Sequence, residues 1–400
     1  MKERSISIII PAFHFADSLY KVIQSIQSQS VTFLEIIVVD SSNNEEVLKV
    51  VRDTEFNSLN INYIKVDKAF PGEARNIGAK EAKGDWLAFL DSKTVPEEDW
   101  LETCFKIIDI QKKEIVFGLT EYTGKTDFQK ILQAATFGKI GHETTPGSVI
   151  KKEIYRNSNS FIEGVRTADD LFWRNKLKFR GFNWHTPEKL TLTYSELPQS
   201  YWEILKRYFI YSWHTSRVNV QNNMKDLYLG ILLILSALIV PRWNALVGWE
   251  ESLLYIPNVT KVYLLVIFFI FIFNFILRTI FPNENDKNSF LWFTLKSIIF
   301  IAFIVATYRW NKIIAGWIEE SPLYFPHITK IYVASILGLS VMIRGIYMPI
   351  KRKVELNFIF PFKWIVIGLV GVGLDLAKAP GYAFGALVSP FLNNKKELHQ

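Results

Sequence analysis

The sequence predicts two architectures in one chain: an α/β domain on a mostly parallel sheet over residues 1–215, and an α-helical membrane domain over residues 216–400. Three observations predict this. In the first half, short apolar runs rich in β-branched residues alternate with segments of helical period. Nearly all long apolar runs fall after Asp226, and one segment of that second half occurs twice.

Composition sets the outer limits. Of 400 residues, 49% are hydrophobic, 15% aromatic and 21% charged, and the mean hydropathy is +0.13. With the long apolar runs gathered after Asp226, the chain is soluble at the front and membrane-embedded behind, and that split excludes a disordered chain, a secreted disulfide scaffold and a purely soluble enzyme. The single cysteine, Cys104, can form neither an intramolecular disulfide nor a multi-thiolate zinc site, which suits a reducing cytosol. The net charge of +7 is spread along the chain without a dense basic block. It reads as attraction to anionic lipid or phosphate, not to nucleic acid. The first apolar run, residues 6–10, stops at Pro11 without a cleavage site and is a strand, not a signal peptide.

The elements follow in order. Residues 5–10 form a first strand, Leu19, Val22, Ile23 and Ile26 recur at helical spacing, and residues 36–39 form a second strand. A third strand at 61–66 precedes a helix at 74–82 and a fourth strand at 86–90. Strands alternating with helices imply a sheet covered on both faces, with ligands beyond the carboxyl ends of its strands. Three polar clusters stand at such ends: residues 11–14, 40–43 and 91–94. Taken singly, each is as well explained by turn and capping chemistry.

The blocks SISIIIPAF, EIIVVDSSN and PGEARNIGAKEAKGDWLAFLDSKTVPEEDWL resemble, in order and spacing, those of the family 2 glycosyltransferases, which have the GT-A fold. The stretch SVIKKEIYRNSNSFIEGVRTADDLFWRNKLKFRGF is similar to that family's acceptor-side block, so the resemblance covers roughly the first half of the chain. It implies transfer of a sugar from a nucleoside diphosphate to a hydroxyl, which needs a base, charge compensation for the diphosphate and a grip on the nucleotide. By the resemblance, Asp40 contacts the nucleobase, Pro11 and Ala12 form the wall beside it, and Arg75 binds phosphate or fixes the neighbouring acids. Asp170, with Asp169 before it, takes the place of the general base of an inverting displacement. Asp91 matches the first acid of the Asp-x-Asp metal motif, but Lys93 stands where the second acid belongs. A divalent cation, Mg²⁺ or Mn²⁺, is therefore expected to be weakly held, with Lys93 either replacing part of its charge or pointing into solvent from a turn. The histidine that the family often carries after the acceptor block is missing from LTLTYSELP, and His185 does not match its position.

In the second half, residues 262–281 form the clearest span, 289–307, 331–350 and 364–387 are long enough, and 227–240 is shorter, giving about four to five spans. Asp375 and Lys378 stand one turn apart, and Gly368, Gly371 and Gly373 would permit close helix packing. Arg242, Trp243 and Asn244, with Glu250, Ser252, Tyr255, Pro257 and Tyr263 after them, recur as Arg309, Trp310, Asn311, Glu319, Ser321, Tyr324, Pro326 and Tyr332. The repeat marks a duplicated hairpin over 227–281 and 289–350, both loops on one face and the basic cluster 351–353 on the cytoplasmic, catalytic side. The stretch YWEILKRYFIYSW reads as an amphipathic connector on the membrane.

Two functions fit this reading. One is a glycosyltransferase in a bacterial inner (plasma) membrane that uses a cytosolic nucleotide sugar and a lipid-linked or glycan acceptor. The other is a membrane scaffold or transport protein whose front domain only binds nucleotide sugar. Asp40, Asp91 and Asp170 favour the enzyme, and the absence of a Gln-x-x-Arg-Trp motif favours single transfer over processive synthesis.

Overall fold

The computed structural model describes residues 4–218 except 159, residues 220, 221, 224, 236, 239 and 240, residues 243–247 and 249–280, residues 298 and 302, and residues 328–388. Strands β1 (Ile6–Ala12), β2 (Glu35–Asp40), β3 (Ile61–Lys65) and β4 (Trp86–Phe89) lie side by side in parallel, in the order 3-2-1-4. Their unbroken apolar runs follow from burial on both faces. On one face α1 (Ala16–Gln27) presses Leu19, Val22, Ile23 and Ile26 into a core with Ile8, Ile10, Ile36 and Val38. On the other, α3 (Pro71–Glu81) covers Ile9, Ile37 and Val39. A short helix, α2 (Glu46–Val51), lies between β2 and β3.

Beyond β4 the sheet reverses direction, so it is mixed where the sequence predicts a mostly parallel one. The strand β7 (His142–Lys151) runs antiparallel to β4, and β6 (Ile115–Tyr122) runs antiparallel to β7. β9 (Leu192–Tyr194) pairs parallel to β6, β5 (Thr94–Pro96) pairs antiparallel to β9, and β8 (Trp184–His185) also pairs with β6. Pro146 and Gly147 make β7 read as a turn in sequence. In the fold they sit at a register shift between β6 and β7. Gly147 has φ +85°, and a Cβ on Gly118 would meet the Pro146 carbonyl oxygen at 1.9 Å, so neither position admits a side chain.

The remaining helices of this half are α4 (Trp100–Gln111), α5 (Asp127–Thr136), α6 (Lys152–Asn157), α7 (Asp169–Phe179) and α8 (Tyr201–Ser216). Later in the chain come the apolar helix Val259–Ile280, the helix Ile328–Met342 that continues through a π-turn at Ile343–Tyr347, and the helix Lys363–Val388. Among the described residues, one helix, Lys363–Gly385, is long and apolar enough to cross a membrane by length and composition. The expected span 289–307, most of 227–240 and the second hairpin loop lie outside the described residues. The first loop is held by its recurring residues: Trp243 Nε1 donates to the Leu254 carbonyl at 2.8 Å, and Asn244 exchanges hydrogen bonds with the Ile256 backbone.

The amphipathic connector predicted over YWEILKRYFIYSW is α8, and it does not lie open on a surface. The Lys363–Val388 helix covers it. A Cβ on Gly373 would strike the Tyr201 hydroxyl, one on Gly381 the Phe209 carbonyl at 2.5 Å, and one on Gly385 the Trp213 carbonyl at 2.4 Å. The glycines are spaced by eight and four residues, as are Tyr201, Phe209 and Trp213, so the two helices run parallel and in register. Val370 and Leu374 close a cluster with Leu132 of α5 and Ile204 of α8. Farther back, Arg352 donates to the Ala135 carbonyl at 3.1 Å, and Lys139 bonds the Arg352 carbonyl and Glu355.

Candidate active site

At the carboxyl edge of the parallel strands, α3 carries three working side chains within one turn. Pro71 opens the helix, and Glu73 turns back to accept from the Phe70 amide at 2.8 Å. The other Glu73 oxygen accepts from the Gly164 amide at 2.7 Å. Arg75, only 3% exposed, donates through Nη2 to Asp91 at 2.5 Å and through Nη1 to Asp169 at 2.7 Å. Asn76 is saturated: it accepts from the Phe161 amide at 2.9 Å and the Tyr155 hydroxyl at 2.7 Å, and donates to the Phe161 carbonyl and the Glu163 carboxylate. The segment 161–170 is thus fastened to α3 at three points.

These bonds set the charge states. Burial opposes the Arg75 charge, but Asp91, Asp169 and Asp170 more than offset it, so the guanidinium stays protonated. Burial pushes the Asp169 carboxyl up; Arg75 pulls it back, and Asp170 and Asp91 push it up again, leaving it above the ordinary carboxylate range. Asp169 begins α7 directly after Ala168, whose φ of +69° aims the two acids at the helix start. Within the pair, burial separates the roles. Asp169 is 5% exposed and fixed to Arg75, whereas Asp170 is 36% exposed, its nearest cation Arg174 at 3.8 Å. Asp170 is therefore the acid open to a hydroxyl.

The structure places the other predicted residues as follows. Ala12 and Asp40 are register partners at the ends of β1 and β2, next to Pro11. Asp40 is fully buried. It accepts from the Ser42 amide at 2.8 Å, the Tyr63 hydroxyl at 2.7 Å and Lys65 at 3.0 Å. Burial works against its charge, and those bonds outweigh it, holding the carboxylate below its usual range. Asp91 is 39% exposed, with one oxygen on Arg75 and no hydrogen bond to the other among the described residues. A hard cation takes about six oxygens, so Asp91 fits as one ligand of a cation completed by phosphate and water. Lys93 points neither into open solvent nor at an acid: its ammonium lies 3.0 Å from the centroid of the Phe15 ring. Burial, then repulsion from Arg207 of α8, pushes it down to about 8.

Several residues of the site carry little sequence signal or none. Tyr155 acts only through contacts across the fold, and Glu73 and Asn76, the latter legible only as part of the Arg75-Asn76 pair, do their further work on residues 161–164. Phe15 and His14 adopt left-handed backbone after β1, with φ of 57° and 58°, which no pattern announces. His214, on α8, accepts from the Arg166 amide at 3.3 Å and meets the Phe70 ring edge-on at 5.6 Å, so a histidine does reach the segment 161–170, from a helix outside the expected stretch.

Comparison with known proteins finds relatives of the front half of the chain. Residues 7–166 match the family model described as Glycosyl transferase family 2. The curated relatives that the chain matches are glycosyltransferases by name. The front of this chain is similar to a family 2 domain. The chain is 24% identical over 191 residues to glycosyltransferase AglE of Haloferax volcanii, covering 44% of this chain and 62% of that protein. It is 26% identical over 186 residues to the poly(ribitol-phosphate) beta-N-acetylglucosaminyltransferase TarP of Staphylococcus aureus, covering 45% and 54%. With the UDP-Glc:alpha-D-GlcNAc-diphosphoundecaprenol beta-1,3-glucosyltransferase WfaP of Escherichia coli it shares 30% over 128 residues, covering 31% and 48%. The chain spans less than two thirds of the length of these relatives. Among solved structures, S. aureus TarS 1–349 in complex with UDP is similar at 16% identity, with a TM-score of 0.43 over 77% of this chain and 92% of that one.

Proposed function

We propose that the protein is a membrane-bound inverting glycosyltransferase that moves one sugar from a nucleotide-sugar donor to a lipid-linked or glycan acceptor at the cytoplasmic face. The observation that carries this reading is Arg75 held between Asp91 and Asp169, with the more open Asp170 beside them. The acceptor hydroxyl gives its proton to the Asp170 carboxylate, its oxygen bonds to the anomeric carbon from the face opposite the diphosphate, and the diphosphate leaves with the electron pair of the broken C–O bond. Arg75 keeps Asp169 and Asp91 in place. Lys93 supplies positive charge where the leaving group gains negative charge. Asp91 would hold a divalent cation, whose contribution is further charge compensation at the diphosphate. Pro11, Ala12 and the Asp40–Lys65 pair bound the base site. The WfaP relative acts, by its name, on a sugar diphosphoundecaprenol, which supports a lipid-linked acceptor here.

The test is a donor screen on detergent-purified full chain, following nucleoside diphosphate release with and without polyprenyl-linked acceptors. Acceptor-stimulated release from one nucleotide sugar, lost in Asp170→Asn, is the expected result. Donor binding without release under every acceptor leaves the scaffold reading in its place.

A further inference from the structure

After its first residue the Lys363–Val388 helix is apolar except for Asp375 and Lys378, which pair with each other and, through Asp375, with Arg344, and its faces have different neighbours. From Ile367 to Gly385 one face is packed on the front domain: Ile367 beside Ala134 of α5, Leu374 beside Ile204, and Gly373, Gly381 and Gly385 against α8. That contact runs for about 27 Å at 1.5 Å per residue. A second face leaves Phe362, Ile365, Val366, Leu369, Leu376 and Phe384 exposed, a stripe at helical spacing that borders α8 where Phe384 meets the Trp213 ring edge-on at 5.2 Å. The helix beside it, in contact where Gly345 meets the Trp364 carbonyl and Gly368 meets that of Val341, continues the apolar surface with Ile343, Tyr347 and Ile350. At the turn between them Lys351, Lys353 and Lys363 are exposed, forming a cationic rim.

A crossing helix needs hydrocarbon, or apolar protein, around it over about 30 Å. The Lys363–Val388 helix is instead bound in register to α8, which exposes Glu203 and Lys206 and holds the Arg207–Glu203 ion pair. Ionised, water-facing groups cannot follow α8 into a bilayer core. We infer that the Lys363–Val388 helix lies flat in the membrane–water boundary, its open stripe in the lipid and its glycine face on the catalytic domain. The partner is an anionic bilayer surface: an apolar stripe bordered by lysines is how an in-plane helix binds one. This rests on the membrane-bound reading above and adds an orientation to it. α8 also accepts from Thr167 at the Tyr211 carbonyl, two residues before Asp169. One helix thickness, about 10 Å, therefore separates the acceptor segment from the lipid-facing helix, within reach of a lipid-linked hydroxyl.

Site-directed spin labelling of the full chain in nanodiscs containing phosphatidylglycerol decides the matter. Cys104→Ala removes the buried native thiol, and cysteines are placed singly at Ile365, Leu369, Leu376 and Phe384. Collision with oxygen is compared with collision with a nickel chelate. The expected result is oxygen favoured over nickel at all four sites, at nearly equal depth. A depth that rises to a maximum at the helix centre and falls again means the helix crosses, and overturns the inference. Labels shielded from both reagents mean that protein, such as the chain's own 289–307 run, covers the stripe, and overturn it too. Each labelled protein is first checked for nucleoside diphosphate binding, to show that it is folded. The depth profile is independent of turnover, so an inactive enzyme with a flat profile would reject the transferase reading and leave the orientation standing.

Discussion

Arg75 donates to Asp169 at 2.7 Å with both side chains buried, and this bond ties α3 to the first turn of α7. Arg75→Lys keeps the charge but reaches one acid at a time, because an ammonium lacks the planar fork. Turnover should fall at least about 10²-fold, with a loss of stability of roughly 3 kcal/mol for the partner acid left unpaired. Steady-state rates and a denaturant melt measure both. Parental turnover in Arg75→Lys would show that the bridge is dispensable.

Asp170→Asn retains the shape of the side chain and removes the base. Transfer should become undetectable while donor affinity changes less than about threefold. Calorimetric titration with the donor and a transfer assay separate the two quantities. If Asp170→Asn keeps activity within a few fold of the parent, the base is Asp169.

Lys93 is charged below about pH 8 and neutral above it. The rate should therefore decline as pH rises through 8, and Lys93→Arg should keep its rate through that interval, since a guanidinium stays protonated. Lys93→Ala should cost about 10²-fold in turnover, more than in donor affinity, because leaving-group charge grows toward the transition state. The linkage has a definite sign: the unfolded lysine holds its proton to about 10.5, so the folded state strengthens relative to the unfolded one between pH 8 and 10.5. A Lys93→Ala enzyme with the parental pH profile would make the residue a spectator on Phe15.

Asn76 touches no reacting atom in this arrangement, yet it satisfies both backbone groups of Phe161. Asn76→Ala should lower kcat by about tenfold or more and leave the donor Kd unchanged, because it loosens the segment that carries the acids. Equal losses in kcat and in donor affinity would point instead to a general loss of structure.

The parallel strands, α1 and the strand-end acids were legible because each is local: an apolar run, a 3.6-residue period, an acid after a strand. Arg75 was legible as a group that fixes neighbouring acids, although its two partners lie 16 and 94 residues away. The antiparallel half was not, since β7 hides its strand behind Pro146 and Gly147. Nor was the seat of Lys93, which depends on Phe15 taking a left-handed conformation far from it in sequence. The glycines of the C-terminal helix announced close packing, but nothing local said that α8, and not another apolar helix, fills the groove they leave.

The pairing of α8 with residues 363–388 also orders events during synthesis. The ribosome completes every acid of the site long before the strand of chain that covers Ile204, Leu205 and Tyr208 has been made. Until then the nascent domain carries an uncovered apolar flank, a mark that chaperones and proteases read. Translation that stops short of residues 363–388 therefore yields a product destined for disposal.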